Sequence, residues 1–337
     1  MDIKSFNIVV HPYAMETFRI LVAGGSGFLG SNLVRRLSKS NDVTVVDVVE
    51  RCSVLRESDK DFNFIKVDVS NYEALGKLPK VDVVYNFASP SSVLSFTQNN
   101  FVSLSNSAFS SFIALLEWSK KNSISKYIFP SSGTVYGSTV GNLNRTLSPI
   151  TIYGVLKLAH ESLAYLYRDD FDVTGLRIFM GYGPGEEIKG NLASPVYQFL
   201  SDVIAGRKPT IWGDGNQSRD LIYIDDIVDV MISALDLSGI TYFDVGTGIN
   251  TNFNSIIRII SNIIVENVRV KYIPRPKTYV EHTSADPKFV SNLLKRNLIT
   301  SKEGIRRFYD YLTSEDFDEK TAKKGKKSLQ QGSRGEE

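Results

Sequence analysis

Apolar positions in the first half of the chain follow two different periods. A short apolar run at Arg19–Ala23 precedes a glycine-rich turn, residues 29–38 carry apolar positions at helical spacing, and a β-branched run follows at 43–47. This order predicts strand, helix, strand. Further strand-type runs lie at 64–67, 81–86, 126–130, 173–179 and 241–245, and helical stretches, notably Phe101–Lys121 and 153–169, lie between them. Such alternation predicts an α/β fold with a doubly wound parallel sheet covered on both faces.

The pattern changes at residues 182–185, where two glycines and a proline break the chain. Beyond them, short helical and extended pieces alternate with glycine turns. A chain of 337 residues is about twice the ~150 residues of one domain. We predict the doubly wound domain at 18–180 and a smaller α/β lobe at 181–312, with residues of about 220–250 returning to the first domain. Residues 1–17 are predicted to be an N-terminal extension, and 313–337 a polar, disordered tail.

Composition narrows the class of protein. The chain is 42% hydrophobic and 23% charged, as expected for a globular protein, and its net charge of +2 is too small for a nucleic-acid footprint over the whole surface. No apolar run approaches the ~20 residues of a membrane span, and the N-terminus does not resemble a signal peptide. A single cysteine, Cys52, permits no internal disulfide. We therefore expect a cytoplasmic protein without nucleic-acid or membrane partners.

Neither histidines nor paired carboxylates indicate a metal site. His11, His160 and His282 are scattered and lack metal-ligand spacing, and His160 is interpreted as a surface or interface residue. Asp225 and Asp226 follow a strand-type run and are interpreted as caps at a helix start. The sequence predicts no metal.

The turn after the first strand reads Gly-Gly-Ser-Gly-Phe-Leu-Gly over residues 24–30. Gly24 permits a tight turn, Gly27 permits close approach of a pyrophosphate, and Gly30 permits close helix–strand packing. The following helix N-terminus attracts that anion. Asp47 ends the second strand, where a carboxylate can bind a ribose 2′-hydroxyl, which favours NAD over NADP. The nearby Arg51 weakens this preference, and a glycine turn without a ligand remains an alternative.

Tyr153 and Lys157 lie four residues apart on one face of a predicted helix, and Ser132 follows a strand end. A tyrosine and a lysine alone are often only an exposed helical pair. Beside the dinucleotide loop, they suit acid–base chemistry. Lowering a tyrosine pKa from ~10 to about 7 requires ~4 kcal/mol of phenolate stabilisation. The ammonium of Lys157 and the positive nicotinamide of NAD⁺ are expected to supply it together.

These motifs, together with the segment 129–137 (Phe-Pro-Ser-Ser-Gly-Thr-Val-Tyr-Gly), resemble the extended short-chain dehydrogenase/reductases, specifically their nucleotide-sugar epimerase/dehydratase branch. The resemblance covers residues 18–312. It implies a Rossmann-type domain that binds NAD, a substrate-binding lobe for a nucleoside-diphosphate sugar, and a homodimer formed through two helices. It also implies catalytic roles for Ser132, Tyr153 and Lys157, with Ser132 contacting substrate and the other two contacting the cofactor.

Further positions match binding residues of this family. The implied cofactor contacts are Gly24, Gly27, Phe28, Leu29, Gly30, Asp47, Asp68, Val69, Phe87 and Ala88. The implied substrate contacts, besides Ser132, are Asn191, Leu192, Thr210, Trp212, Arg219 and Arg275. For several of these positions, such as Asp68 and Phe87, a packing role alone remains an alternative.

Some residues depart from the family pattern. Met180 replaces an asparagine that contacts substrate in many relatives, and Arg275 is displaced by one residue from a phosphate-binding arginine. Ser132 and Tyr153 are only 21 residues apart, which implies a shortened loop over the sugar site. Gly133 and Thr134 replace the Asp-Glu pair of the 4,6-dehydratases.

The residues that remain suffice for reversible oxidation at one sugar carbon. We therefore expect an NAD-dependent epimerase, most simply one that interconverts UDP-glucose and UDP-galactose at C4. One alternative is an NAD(P)H-dependent ketoreductase or synthase. Another is a non-catalytic cofactor-sensing or RNA-binding scaffold, which the retention of both Tyr153 and Lys157 disfavours.

Overall fold

The computed structural model describes residues 17–50, 54, 61–97, 99–137, 145–275 and 280–314. Most of the predicted N-terminal extension, nearly all of the predicted tail, and Arg51, Cys52 and His11 lie outside these residues. In the described part, no helix has the length and apolar character that a membrane crossing needs.

Strands and helices alternate through the first half of the described chain and continue in the second half. The strands are β1 (Arg19–Ala23), β2 (Asp42–Asp47), β3 (Phe62–Lys66), β4 (Val83–Asn86), β5 (Lys126–Ser132), β6 (Asp172–Ile178), β7 (Met180–Tyr182), β8 (Thr210–Trp212), β9 (Ser218–Tyr223), β10 (Ile240–Val245), β11 (Asn250–Asn252) and β12 (Lys271–Ile273). The helices are α1 (Phe28–Leu37), α2 (Phe101–Lys121), α3 (Ile152–Tyr165), α4 (Pro195–Ile204), α5 (Ile224–Ser233), α6 (Phe253–Ile264), α7 (Lys288–Leu294) and α8 (Ser301–Leu312).

The main sheet has seven strands in the order β10-β6-β5-β4-β1-β2-β3. Every neighbouring pair in it is parallel. The interior strand β1 is apolar on both faces because both are covered: Ile20, Leu21 and Val22 are fully buried. The predicted α/β class with a doubly wound parallel sheet is confirmed. The strand order reverses between β1 and β4, and ligands of such sheets bind at this place, beyond the carboxyl ends of the strands.

A separate hydrophobic cluster covers each face of the sheet. One contains Leu33 of α1 and Ile227 of α5, which pack against the second lobe as well. The other contains Phe112 and Leu115 of α2. Helices α2 and α3 pack on each other on this second side, and both also contact the sheet, α2 at β4 and α3 at β5.

The second lobe contains two small sheets. In one, β9 lies between β7 and β11, and in the other β8 pairs with β12. The chain then returns to the main sheet, where β10 forms the edge and pairs with β6 from Ile240↔Val173 to Val245↔Ile178.

Two interpretations from the sequence are wrong. Asp226 does not cap α5: its carboxylate accepts a hydrogen bond from the backbone N–H of Ile299 at 2.7 Å and pairs with Arg296, which ties α5 to the segment before α8. His160 is not at the surface, because its ring is 1% exposed and stacks on Phe112 at 4.0 Å between centroids. Burial lowers the pKa of His160 to about 3, so this ring is neutral.

Candidate active site

A cavity of about 1140 Å³ opens at the carboxyl ends of the main-sheet strands and extends into the second lobe. Pockets for one small ligand typically measure ~300–1,000 Å³, so this cavity has room for more than one nucleotide. The sequence-predicted residues that line it are Gly24, Gly27, Phe28, Leu29, Gly30, Asp47, Asp68, Val69, Phe87, Ala88, Ser132, Tyr153, Lys157, Asn191, Leu192, Thr210, Trp212 and Arg219. Met180 lines it as well.

The glycine loop has the close packing that its sequence predicts. Gly24 has φ of +71°, and a Cβ there would lie 2.6 Å from the carbonyl carbon of Phe87. A Cβ on Gly30 would lie 2.5 Å from the carbonyl oxygen of Gly24. Among the described residues, no side chain caps α1 after Gly27 and no acidic residue lies in its first turn. This helix start therefore offers N–H groups and a positive dipole to an anion.

Asp47 connects the glycine loop to the end of β2 through hydrogen bonds. Its carboxylate accepts hydrogen bonds from the backbone N–H groups of Ser26 at 3.0 Å, Val48 at 2.8 Å and Val49 at 3.3 Å. Burial raises the pKa of Asp47, and these three bonds act in the opposite direction. The carboxylate thus organises the loop and also faces the cavity.

Asn86 shapes the loop that follows β4. This buried side chain donates to the Tyr127 hydroxyl at 2.7 Å and accepts from the backbone N–H of Ala88 at 3.0 Å. Both bonds hold the turn that presents Phe87 and Ala88 to the cavity. Asp68, in the loop after β3, accepts bonds from the backbone and the hydroxyl of Ser70.

Ser132, Tyr153 and Lys157 meet on one wall of the cavity. Ser132 ends β5, and the other two lie on α3, whose N-terminus is capped by the Thr151 hydroxyl. The Ser132 side chain is close enough to the Tyr153 hydroxyl to lower the pKa of that phenol. The Lys157 ammonium lies 5.5 Å from the centroid of the Tyr153 ring. All three residues are buried, between 2% and 8% exposed.

Burial controls the protonation of this group in the protein alone. It raises the pKa of Tyr153 to about 12, against a smaller lowering by the bond to Ser132. It lowers the pKa of Lys157 to about 7, because an ammonium loses its hydration in the cavity wall. Without cofactor, the chain's own groups therefore do not make the phenol acidic, and its acidification by Lys157 together with NAD⁺ stays a prediction.

Arg219 and Trp212 lie at the second-lobe end of the cavity. The guanidinium of Arg219 is buried, donates to the carbonyl oxygen of Ser218 at 2.8 Å and lies 5.6 Å from the centroid of the Phe253 ring. Asn191 and Leu192 precede α4, which Ser194 caps by accepting from the N–H of Tyr197.

The structure does not bring Arg275 to this cavity. Its side chain is 49% exposed and forms an ion pair with Glu281. Residues 276–279, which follow it, lie outside the described part, as do residues 138–144 of the loop between Ser132 and Tyr153 that the sequence predicts to be shortened.

Sequence reasoning missed a pair of charged residues in the cavity wall, Lys189 and Glu186. Lys189 has an 18% exposed side chain, lies 4.6 Å from the Phe28 ring centroid and pairs at 3.4 Å with Glu186, which is fully buried. Glu186 also accepts from the backbone and hydroxyl of Ser194. The signal that could have found them is their i, i+3 spacing directly after the glycine break at 183–185.

Comparisons with known proteins agree with this geometry. A family model described as the NAD dependent epimerase/dehydratase family matches residues 20–244. The chain is 29% identical over 316 residues to the uncharacterized UDP-glucose epimerase YtcB of Bacillus subtilis, covering 88% of this chain and 98% of the relative. It is 31% identical over 295 residues to ADP-L-glycero-D-manno-heptose-6-epimerase of Alkalilimnicola ehrlichii, covering 79% and 88%. UDP-glucose 4-epimerase from Thermotoga maritima, solved with UDP-glucose, has a TM-score of 0.79 at 26% identity, covering 87% and 98%.

The residues present fit a dinucleotide. Side chains at Gly24 or Gly30 would fill the loop, the start of α1 is open to a phosphate, and Asp47 faces the cavity as an acceptor for a hydroxyl. The match to the family model covers the glycine loop, the catalytic trio and the return strand β10 together. The chain therefore belongs to the NAD-dependent epimerase/dehydratase family.

Proposed function

We propose that the protein interconverts C4 epimers of a nucleoside-diphosphate sugar, most simply UDP-glucose and UDP-galactose. The observation that carries the proposal is that Ser132, Tyr153 and Lys157 share one cavity with Trp212 and Arg219. The first three suit proton transfer at a sugar hydroxyl. An indole face and a guanidinium suit a nucleotide base and a diphosphate. The relatives named above are epimerases of nucleotide sugars.

Tyr153 and Ser132 have distinct roles in this proposal. Tyr153 takes the proton of the C4 hydroxyl as the carbon is oxidised, and returns it when the ketone is reduced on its other face. Ser132 holds the reacting oxygen through a hydrogen bond. NAD, held by the glycine loop and Asp47, supplies the hydride acceptor and donor and a positive charge. The two proton transfers cancel, so the reaction consumes no external acid, base or reductant.

The energetics decide when Tyr153 can act as a base. Moving its pKa from about 12 to ~7 requires about 7 kcal/mol. The ammonium of Lys157, 5.5 Å from the Tyr153 ring, supplies only about 3 kcal/mol at an effective dielectric constant of ~20. The rest has to come from the cofactor charge and from hydrogen bonds formed in the complex. The phenol therefore stays protonated until the cofactor is bound.

Turnover of nucleotide sugars tests the proposal. Purified protein is incubated with UDP-glucose, UDP-galactose, UDP-N-acetylglucosamine, UDP-glucuronate and an ADP-heptose, and the products are separated by chromatography. We expect a C4 epimer and a loss of ~10²–10⁴-fold in kcat for Tyr153→Phe with bound NAD retained. Absence of turnover on the whole panel would overturn the proposal.

The same assay separates the alternatives. The heptose-6-epimerase relative and the apolar Met180 in the cavity make the ADP-heptose the second candidate substrate. A ketoreductase or synthase would instead consume reduced cofactor in proportion to product, which the absorbance of NADH or NADPH reports. A non-catalytic scaffold would bind cofactor and turn over nothing.

Two features of the protein outside the cavity stay predictions. A homodimer fits the outer faces of α2 and α3, whose exposed apolar side chains are Phe101, Val102, Ile113, Val155 and Tyr165, followed by the exposed Leu166 directly after α3. Analytical ultracentrifugation tests it, and Val102→Glu with Leu166→Glu is expected to give monomers. A cytoplasmic location rests on the single cysteine.

A further inference from the structure

A buried polar network lies behind the catalytic wall. Glu161 is on α3, one turn beyond Lys157 and two turns beyond Tyr153, and is 4% exposed. Arg177 of β6 grips its carboxylate with two hydrogen bonds, from Nε to Oε1 at 2.9 Å and from Nη2 to Oε2 at 2.7 Å. The hydroxyl of Ser131 donates to the same carboxylate.

The network continues across the sheet to its edge strand. Arg177 donates from Nη1 to the Tyr136 hydroxyl at 2.7 Å, and that hydroxyl donates to Asp244 of β10 at 2.7 Å. The backbone carbonyl of Glu161 accepts from the Tyr242 hydroxyl at 2.8 Å. One set of bonds thus joins α3, β5, β6 and β10.

Strand register makes Ser131 the part of this network closest to the chemistry. Ser131 is paired with Arg177 across β5 and β6, and Ser132 with Ile178. Ser131 directly precedes Ser132 in β5, and Glu161 lies on the same helix, α3, as Tyr153. The bond between Ser131 and Glu161 therefore links the strand end that carries one catalytic hydroxyl to the helix that carries the other.

Ion pairs in this setting are poor evidence of stability, because the cost of desolvation offsets their attraction. They are well suited to fixing one geometry, since a bidentate guanidinium–carboxylate pair tolerates little displacement. We propose that Glu161, held by Arg177, is a positioning residue that sets the Ser132 hydroxyl against Tyr153 through Ser131. The expected effect on kcat rests on the proposed function, whereas the expected effect on the geometry does not.

Ser131→Ala tests the link while leaving the ion pair intact, which matters because removing one partner of a buried pair is strongly destabilising. We expect kcat to fall about tenfold with KM for the nucleotide sugar unchanged, since misplacement of a reacting group slows chemistry without weakening binding. Ser131→Thr, which keeps the hydroxyl, is expected to recover most of the rate. Tyr242→Phe is the matched control, because it removes only the bond to the backbone of Glu161.

The outcome is read together with crystal structures of wild type and Ser131→Ala. The proposal expects a longer distance between the Ser132 and Tyr153 hydroxyls in the variant. It is overturned by a Ser131→Ala rate within twofold of wild type, by an equal loss in Tyr242→Phe, or by an unchanged distance. If the wild type turns over no sugar, the proposed function fails, and the distance alone decides the positioning role.

Discussion

The Lys157 ammonium donates a hydrogen bond to the Ser89 hydroxyl at 3.1 Å, although the two residues belong to different sides of the cavity wall. Ser89 follows β4 in the loop that faces the predicted cofactor site, and Lys157 lies on α3 next to Tyr153. This hydrogen bond anchors a cation that burial otherwise disfavours, since burial lowers the pKa of Lys157 to about 7. Burying Lys157 beside Tyr153 thus lowers the folding stability of the protein without cofactor.

The buried lysine predicts a pH-dependent stability. The folded pKa of Lys157 is about 7 and an unfolded lysine has ~10.4, so between these values the unfolded chain binds more protons and stability rises with pH. Lys157→Met removes this penalty of up to about 5 kcal/mol. Without cofactor, the variant is expected to melt at a higher temperature than wild type at pH 7, and the gap to narrow towards pH 9.5.

Thermal melts at four pH values check this, with the exposed Lys121→Met as control. A gap that stays constant or widens with pH would contradict the assignment of a neutralised, buried amine.

Gly30→Ala is expected to disturb the cofactor loop. Its Cβ would lie 2.5 Å from the carbonyl oxygen of Gly24. The backbone of the loop therefore has to shift, which costs ~1–3 kcal/mol of folding stability. NAD affinity is expected to fall at least tenfold, measured by isothermal titration calorimetry. Gly76→Ala is the control, because a Cβ there meets nothing within 4 Å, and it should leave both urea unfolding and NAD binding close to wild type. Equal behaviour of the two variants would refute this account of the loop.

Asp47→Asn is expected to weaken the binding of NAD and to shift the NAD/NADP affinity ratio towards NADP relative to wild type. The amide has one acceptor oxygen for three N–H donors and no charge to repel a 2′-phosphate. A lost charged hydrogen bond costs ~1.5–3 kcal/mol, or about 10–100-fold in the dissociation constant of NAD. Asp42→Asn, at the exposed start of the same strand, is the control. An unchanged NAD/NADP affinity ratio would show that Asp47 has only a structural role.

Arg219→Lys is expected to raise the dissociation constant of UDP about tenfold, because a lysine cannot form the paired bonds of a guanidinium. Arg275→Lys is expected to change it less than twofold, since Arg275 lies outside the cavity in its ion pair with Glu281. Fluorescence titration with UDP compares the two. A larger effect at Arg275 would place the diphosphate somewhere other than this cavity.

Local signals in the sequence were enough for the sheet and for most of the cavity. The glycine loop, Asp47 and the Tyr153–Lys157 spacing are carried by short motifs and by positions at strand ends, so their pattern is visible without coordinates. Properties created by distant segments were not visible. The burial of His160 depends on Phe112 of another helix, and the hydrogen bond from the Ile299 N–H to the Asp226 carboxylate spans 73 residues.

Electrostatics were the least predictable part of the site. The residue types suggested that Lys157 and the positive nicotinamide of NAD⁺ together acidify Tyr153, but they did not indicate that burial in the protein alone raises the pKa of Tyr153 and lowers that of Lys157. Desolvation depends on how much of the protein surrounds a side chain, which no short motif records. The place of Lys189 and Glu186 in the cavity wall was not predicted for a related reason, because a charged pair in a connecting segment usually lies in solvent.

The position of β10 has a consequence for exchanging parts between relatives. This strand lies in the chain between two parts of the second lobe, yet it completes the edge of the main sheet beside β6 and carries Asp244 to Tyr136. A chimera joined once near residue 180 would therefore take its outermost strand from the other parent. Successful recombination needs two crossovers that keep Ile240–Val245 with its own sheet, and a fragment ending at residue 180 would leave β6 as a bare, aggregation-prone border.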